Sequence, residues 1–199
     1  MIPARLVLAT GNPGKVDELR ALLAEWGPVE ALDLRAFPGL ETPEETEPSY
    51  AGNAILKARA VAAATGLPAL ADDSGLEVDA LGGEPGVRSA RWAGPQATDA
   101  ERVAKLLGAL AGVPEPARGA RFVCVVALAW PDGRAETAEG TCGGRIASLP
   151  DGRGGFGFDP VFVADDLGRS LGRATPVEKH RISHRARAMR LLGARLRAL

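Results

Sequence analysis

Residues 5–19 constrain this chain most. Arg5-Leu-Val-Leu-Ala is an apolar run that predicts a buried strand over 5–9. Thr10-Gly11-Asn12-Pro13-Gly14-Lys15 breaks it, and an amphipathic helix over 14–26 follows, with Val16, Leu19, Leu22, Leu23 and Trp26 on one face. Strand, tight glycine loop and helix start make a ready anion cradle. The first turn of a helix offers unpaired N–H groups and a partial positive charge, and Lys15 adds a full one. The loop is not a Walker A motif: Gly11 and Lys15 are too close, and Val16 stands where Ser or Thr would hold magnesium. Nor is it a G-x-G-x-x-G dinucleotide fingerprint. An ordinary strand–helix turn, with Gly and Asn at positive φ and a solvated lysine, would read the same way at this point.

The remaining elements predict an α/β fold without internal repeats. They are a strand at 29–34, an acidic proline-bearing loop at 38–48, and an Ala-rich helix at 50–64 capped by Ser49 and ended by Gly66. A strand at 68–72 runs into Asp72-Asp73-Ser74-Gly75, and a second short strand follows at 76–80. Residues 82–96 read as a long loop, and Thr98-x-x-Glu101 as the capping box of a helix at 99–111. Arg121–Trp130 is a central strand, turned through Pro131-Asp132-Gly133 into a partner at 134–142. A glycine-rich loop spans 152–159, Thr175–Glu178 caps a short helix, and Ser183 opens the last one, 184–197. With 199 residues and no long linker, the whole chain, 1–199, is expected to be a single domain.

Bulk properties exclude several function classes. A net charge of −1 argues against general nucleic-acid binding, and no apolar stretch approaches the ~20 residues of a membrane span. The N-terminus shows no signal-peptide pattern. Cys124 and Cys142 lack metal-ligand spacing and read as free buried thiols of a cytoplasmic protein. The chain uses 20 Arg but only 4 Lys, so Lys15, Lys57, Lys105 and Lys179 stand out as places that need a compact ammonium. Lys105, in mid-helix, is the exception and reads as a chance surface residue.

Several constellations carry chemistry. Asp72 and Asp73 at a strand end suit metal or general-base work, and as strand neighbours they point to opposite sides, one toward a site and one bracing backbone. Glu44, Glu45 and Glu47 offer a second oxygen ligand, since Mg²⁺ takes one or two protein carboxylates with phosphates and water. Asn53 and Lys57 share a helix face. Phe156-Gly157-Phe158-Asp159 joins aromatics that can stack on a base or pack in the core to a carboxylate that can accept from a ring N–H. His184 and Arg185 stand at a helix start, where they can donate to carbonyl oxygens. Zinc is not indicated: His180 and His184 lack a third ligand.

In this order and spacing, Thr10–Lys15, Glu44-Glu45-Thr46, Asn53–Ala58, Ala71–Leu76, Leu81–Gly86, Gly155–Pro160 and Ser183–Arg185 resemble the inosine triphosphate pyrophosphatase family, over residues 6 to 192. The chain departs from the family at Phe158, a position often Tyr or Trp, and before Asn53, where Tyr50-Ala51-Gly52 lacks a common acidic residue. The resemblance implies two lobes around an elongated mixed sheet with a central cleft, and a homodimer. It also implies Mg²⁺-dependent hydrolysis of ITP, dITP and XTP to monophosphate and pyrophosphate, which cleanses the nucleotide pool. By motif, Thr10, Gly11, Asn12, Pro13, Gly14 and Lys15 hold the triphosphate, and Asp73 with Glu44 or Glu45 binds Mg²⁺. Asp73 is the proton acceptor, Asn53 is a substrate-binding residue, and Lys57 and Lys179 neutralise phosphate. Ser74 contacts the nucleotide, and Phe156, Gly157, Phe158, Asp159, His184 and Arg185 enclose the purine. The alternatives are a pyrophosphatase of the same fold with another base preference, and a purine nucleotide sensor without turnover.

Overall fold

A computed structural model describes residues 1–198. The strands are β1 (Arg5–Leu8), β2 (Glu30–Asp33), β3 (Ala69–Val78), β4 (Gly119–Ala129), β5 (Ala135–Ile146), β6 (Phe162–Ala164) and β7 (Arg169–Ser170). The helices are α1 (Pro13–Leu23), α2 (Tyr50–Thr65), α3 (Asp99–Ala109), α4 (Pro176–Ile182) and α5 (His184–Ala198). The strands form one mixed sheet in the order β2-β1-β3-β4-β5-β6-β7. β1 runs parallel to both β2 and β3, while β5–β6 and β6–β7 are antiparallel. Parallel neighbours need a long crossover, and α1 and α2 supply it.

Local chemistry sets the helix ends. Asn12 caps α1 by accepting from the Lys15 amide, with Pro13 at the first helical position. Ser49 accepts from the Gly52 amide to open α2, and Gly66 closes that helix at φ 68°. Both predicted Thr-x-x-Glu sequences form capping boxes, at Thr98–Glu101 and Thr175–Glu178. Pro131–Gly133 makes the β4–β5 turn, with Trp130 N donating to Arg134 O.

The chain divides into two compact units. The first comprises Met1–Asp73, Cys124–Gly140 and the C-terminal segment from Arg185. Within it β1, β3 and β4 are buried on both faces, as strands covered by helices on each side are. Leu6, Leu8, Leu70, Val126 and Leu128 pack with Leu19, Leu22, Trp26, Met189 and Leu192 of the α1 and α5 segments. Val7, Ala69, Ala71, Val125 and Ala127 pack with Ala54, Ala58, Val61 and Ala62 of α2. The second unit, Ser74–Val123 and Thr141–His184, has its own core of Leu76, Val78, Leu106, Phe122, Ile146, Phe158 and Phe162.

Three expectations need correction. Asp72-Asp73-Ser74-Gly75 does not end a strand: β3 continues unbroken from Ala69 to Val78. The composition reads as turn chemistry, but β3 lies between β1 and β4, and its buried carboxylates find partners in the tertiary structure, so the ladder prevails. The predicted loop at 82–96 contains a 3-10 turn at Gly86–Arg91. The first helix tightens to 3-10 geometry over Ala24–Trp26, where Trp26 Nε1 donates to Met189 O at 3.1 Å. As expected, both cysteines are free and buried.

Close approach of β5 and β6 explains one glycine. A Cβ at Gly144 would stand 2.3 Å from the Val163 carbonyl oxygen and 2.7 Å from the Phe162 ring. Backbone on one side leaves nothing cheap to move. Gly144→Ala should therefore destabilise by about 1–3 kcal/mol through overpacking. Thermal unfolding should show a lower Tm by roughly 2–4 °C per kcal/mol for a chain of this size.

Candidate active site

The pleat of β3 organises the first unit's polar centre. Even-numbered Leu70 joins the core shared with α1 and α5, and odd-numbered Ala69 and Ala71 join the core shared with α2. Alternation carries Asp72 to the first face and Asp73 to the second. Both are buried, at 1% and 3% exposure. An isolated buried carboxylate is expensive, so each is met by donors.

On the α1/α5 face, Asp72 Oδ2 lies 2.8 Å from Arg185 Nη2, 3.1 Å from Arg185 Nε and 3.1 Å from Lys15 Nζ. Arg185 Nη1 donates to Glu18 on α1 at 2.5 Å. Burial alone would push the Asp72 carboxyl up. Lys15, then Arg185 and Lys57, outweigh burial and hold it well below the usual carboxylate range. The neighbouring Cys124 thiol, 3.9 Å from Asp72 Oδ2, is pushed up to about 12 by burial and then by Asp72's charge, so it stays protonated and inert.

On the α2 face, Asn53 and Lys57 turn inward. Asn53 Nδ2 donates to Asp73 Oδ2 at 3.1 Å, and the same side chain bonds both the amide and the carbonyl of Glu47, tying the acidic loop to the helix. Lys57 Nζ donates to Glu45 Oε1 at 2.5 Å and to the Asp72 main-chain oxygen at 2.7 Å, and stands 3.8 Å from Asp73 Oδ1. Burial raises the proton affinity of Asp73 above that of an ordinary aspartate. Lys57 pulls the other way, Glu45's charge adds to the rise, and the Asn53 bond opposes it. A buried carboxylate of raised proton affinity, lined by a lysine, is the profile of a general base.

The Thr10–Lys15 loop ends β1 and starts α1. Asn12 N donates to Thr10 Oγ1 at 3.2 Å. Gly11 is not at positive φ, and a Cβ there would meet nothing within 4 Å. Neither turn conformation nor packing requires glycine here, which leaves open space in front of the backbone for a ligand. Lys15, Lys57 and Asp73 thus lie around one segment of β3, and Glu45 approaches Lys57. Glu44, the other predicted metal ligand, is exposed and makes no ion pair or hydrogen bond among the described residues.

The second unit holds the other predicted site residues. Asp159 is buried, accepts from Phe156 N at 2.8 Å and pairs with Lys179 Nζ at 2.6 Å. Lys179 Nζ also sits 4.3 Å from the Phe156 ring centroid. Only glycine fits at 155, where φ is 73° and a Cβ would fall 2.0 Å from Asp159 Oδ2. Gly157 N donates to Asp99 Oδ2 at the start of α3, an anchor the sequence did not disclose. Phe158 is a core residue of this unit, whereas Phe156 is half-buried. The His184 ring stacks on Phe122, with centroids 4.8 Å apart and planes 14° apart. Ser74 is half-buried on β3, next to Asp73. Lys179 is therefore engaged by Asp159, and Arg185 by Asp72 and Glu18. Glu18 was missed in the sequence, although it lies three residues past Lys15 on the same face of α1.

Residues 6–195 match the family model described as the Ham1 family. The chain belongs to the Ham1 family. It is 50% identical over 192 residues to a Yersinia pseudotuberculosis protein named dITP/XTP pyrophosphatase, covering 94% of this chain and 95% of that one. A Thermus thermophilus protein of the same name is 52% identical over 188 residues, covering 94% and 89%. Among solved structures, a HAM1 protein from Coxiella burnetii superposes with a TM-score of 0.87 at 40% identity, covering 99% of this chain and all of that one. The resemblance read from the motifs and the α/β fold with its mixed sheet are thus borne out.

Removing the Asp73 charge should separate stability from function. Its raised proton affinity means that the ionised form weakens the fold, by an amount that disappears as pH falls through the folded-state value toward the ordinary ~3.9. Asp73→Asn should have a Tm at pH 7 equal to or above that of the parent. That advantage should shrink toward pH 4 when the two are compared by thermal unfolding.

Proposed function

We propose that this chain hydrolyses non-standard purine nucleoside triphosphates, ITP, dITP and XTP, to the monophosphate and pyrophosphate. The observation that carries the reading is Asp73, buried between Asn53 and Lys57, with its proton affinity raised. The names of the half-identical relatives supply the substrate class. The reading includes a cytoplasmic homodimer. No helix among the described residues is long and apolar enough to cross a membrane.

In this reading Asp73 accepts the proton of the water whose oxygen attacks the α-phosphorus. The bond from that phosphorus to the bridging oxygen breaks, and pyrophosphate leaves with the electron pair. Lys15 and the amides at the start of α1 stabilise the charge that builds on the leaving group. Lys57 is close enough to keep Asp73 oriented while Asn53 holds its other oxygen.

Magnesium fits the residues present. Glu45 and Asp73 already converge on one positive charge, Lys57 Nζ, and carboxylate oxygens are the hard donors this ion prefers. Among the described residues no three His, Cys, Asp or Glu side chains gather as a metal cluster. Glu45 and Asp73 would hold the ion, with phosphate and water as its remaining ligands. When bound it would neutralise phosphate charge and make water more acidic.

For the base, the 6-oxo group of hypoxanthine or xanthine is an acceptor that suits the donors of the His184–Arg185 segment, while adenine presents an amino donor. A site built on hydrogen bonds rejects such an analogue by about 10⁴-fold or more. Arg185 is buried against Asp72 and Glu18, so this part falls to His184 beside it.

Pyrophosphate release, followed with a coupled inorganic pyrophosphatase across ITP, dITP, XTP, GTP and ATP, tests the reading. Magnesium-dependent release from the first three, with ATP lower by the factor above, is expected. Release from none of them would leave only a binding role. Asp73→Asn should lose turnover by at least about 10³-fold, the range of a lost general base with its orienting charge.

A further inference from the structure

Asp72 is the most enclosed charged group of the first unit, and the proposed chemistry leaves it without a part. Its side chain has 0% exposure, so it cannot touch a substrate. Yet its Oδ2 collects three donors from two cations, Arg185 and Lys15. The two differ in setting. Arg185 is as buried as the carboxylate, whereas the Lys15 side chain retains 17% exposure and belongs to the open loop in front of Gly11.

We propose that Asp72 is a positioning residue. Its Oδ2 fixes the ammonium of Lys15 at the triphosphate loop, and Arg185 holds that oxygen in place. This deepens the functional reading above and rests on it.

The Lys15 backbone is pinned by the Asn12 cap, but its four-carbon stem is free to rotate and carries about 2 kcal/mol of rotamer entropy. A point charge that must meet the leaving pyrophosphate needs a fixed address, because a displacement of about 1 Å in a reacting geometry can cost 10²-fold. Asp72 supplies that address from the buried side of the ammonium. Arg185 gives the clamp its rigidity, because its fork grips Asp72 through Nε and Nη2 while Nη1 reaches Glu18 on the same helix as Lys15. The other active-site lysine provides an internal control. Lys57 bonds the main-chain oxygen of Asp72, not its carboxylate, so a side-chain change at 72 leaves that bond in place.

The test is a double-mutant cycle on turnover of ITP with Asp72→Asn, Lys15→Ala and the pair, alongside Tm for each variant. Lys15→Ala should lower kcat on the order of 10²–10³-fold. Asp72→Asn should lower kcat by about 10²-fold, with KM changed by less than about 3-fold. The pair should stay within about 3-fold of Lys15→Ala alone, because Asp72 has nothing left to position. Multiplicative losses in the pair, or wild-type kcat in Asp72→Asn, would overturn the proposal. If Asp72→Asn does not fold because Arg185 is left buried, the cycle is run with Asp72→Glu. That variant keeps the charge and moves it by one methylene, and the same coupling to Lys15 is required. Calorimetric binding of inorganic pyrophosphate separates this inference from the functional reading. Asp72→Asn, or Asp72→Glu where the former does not fold, should weaken binding in the parent chain and leave it unchanged in Lys15→Ala, whether or not the wild type turns ITP over. Equal weakening in both backgrounds would refute the positioning role.

Discussion

The centre of this protein depends on one constraint: adjacent residues of a strand face opposite ways. β3 is buried on both faces, yet it carries Asp72 and Asp73 in its middle. Each carboxylate must find its own set of donors on its own side of the sheet. The α1/α5 side answers with Lys15 and Arg185, the α2 side with Asn53 and Lys57. Two electrostatic sites of opposite character result, one residue apart.

The two sites differ in which form of the carboxyl they favour. Asp72 has more positive charge around it than burial can offset, and stays ionised. Asp73 has Lys57 at 3.8 Å but also Glu45 close to that same lysine, so desolvation prevails and the proton is held more tightly. Breaking a buried pair such as Asp72–Arg185 costs about 3–5 kcal/mol, but forming one contributes little net stability against an apolar replacement. The cluster is therefore better explained by the charge distribution it creates at the Thr10–Lys15 loop than by stability.

Much of this was legible beforehand, for identifiable reasons. Capping boxes at Thr98 and Thr175 and the Ser49 and Gly66 ends of α2 are local chemistry, which a sequence displays directly. Asn53 and Lys57 could be paired because helical spacing puts them on one face. The turn expected at Asp72–Gly75 failed because composition carries no information about ladder partners on either side. The partners of Lys179 and Arg185 were hidden for the same reason. Asp159 lies 20 residues from Lys179, and Asp72 lies 113 residues from Arg185. That Glu45, and not Glu44, approaches Lys57 also needed the fold.

What the sequence determined by itself is the order of strand, loop and helix, the residue types of the site and the family they belong to, because periodicity, caps and motif spacing are properties of neighbours along the chain. The tertiary structure alone decided the division of labour. It showed which aspartate is clamped and which has the raised proton affinity, which glutamate approaches the lysine, and that Phe158 is core while Phe156 is not. Proton affinity, burial and ion pairing depend on distances through space, and elements far apart in the chain set those distances.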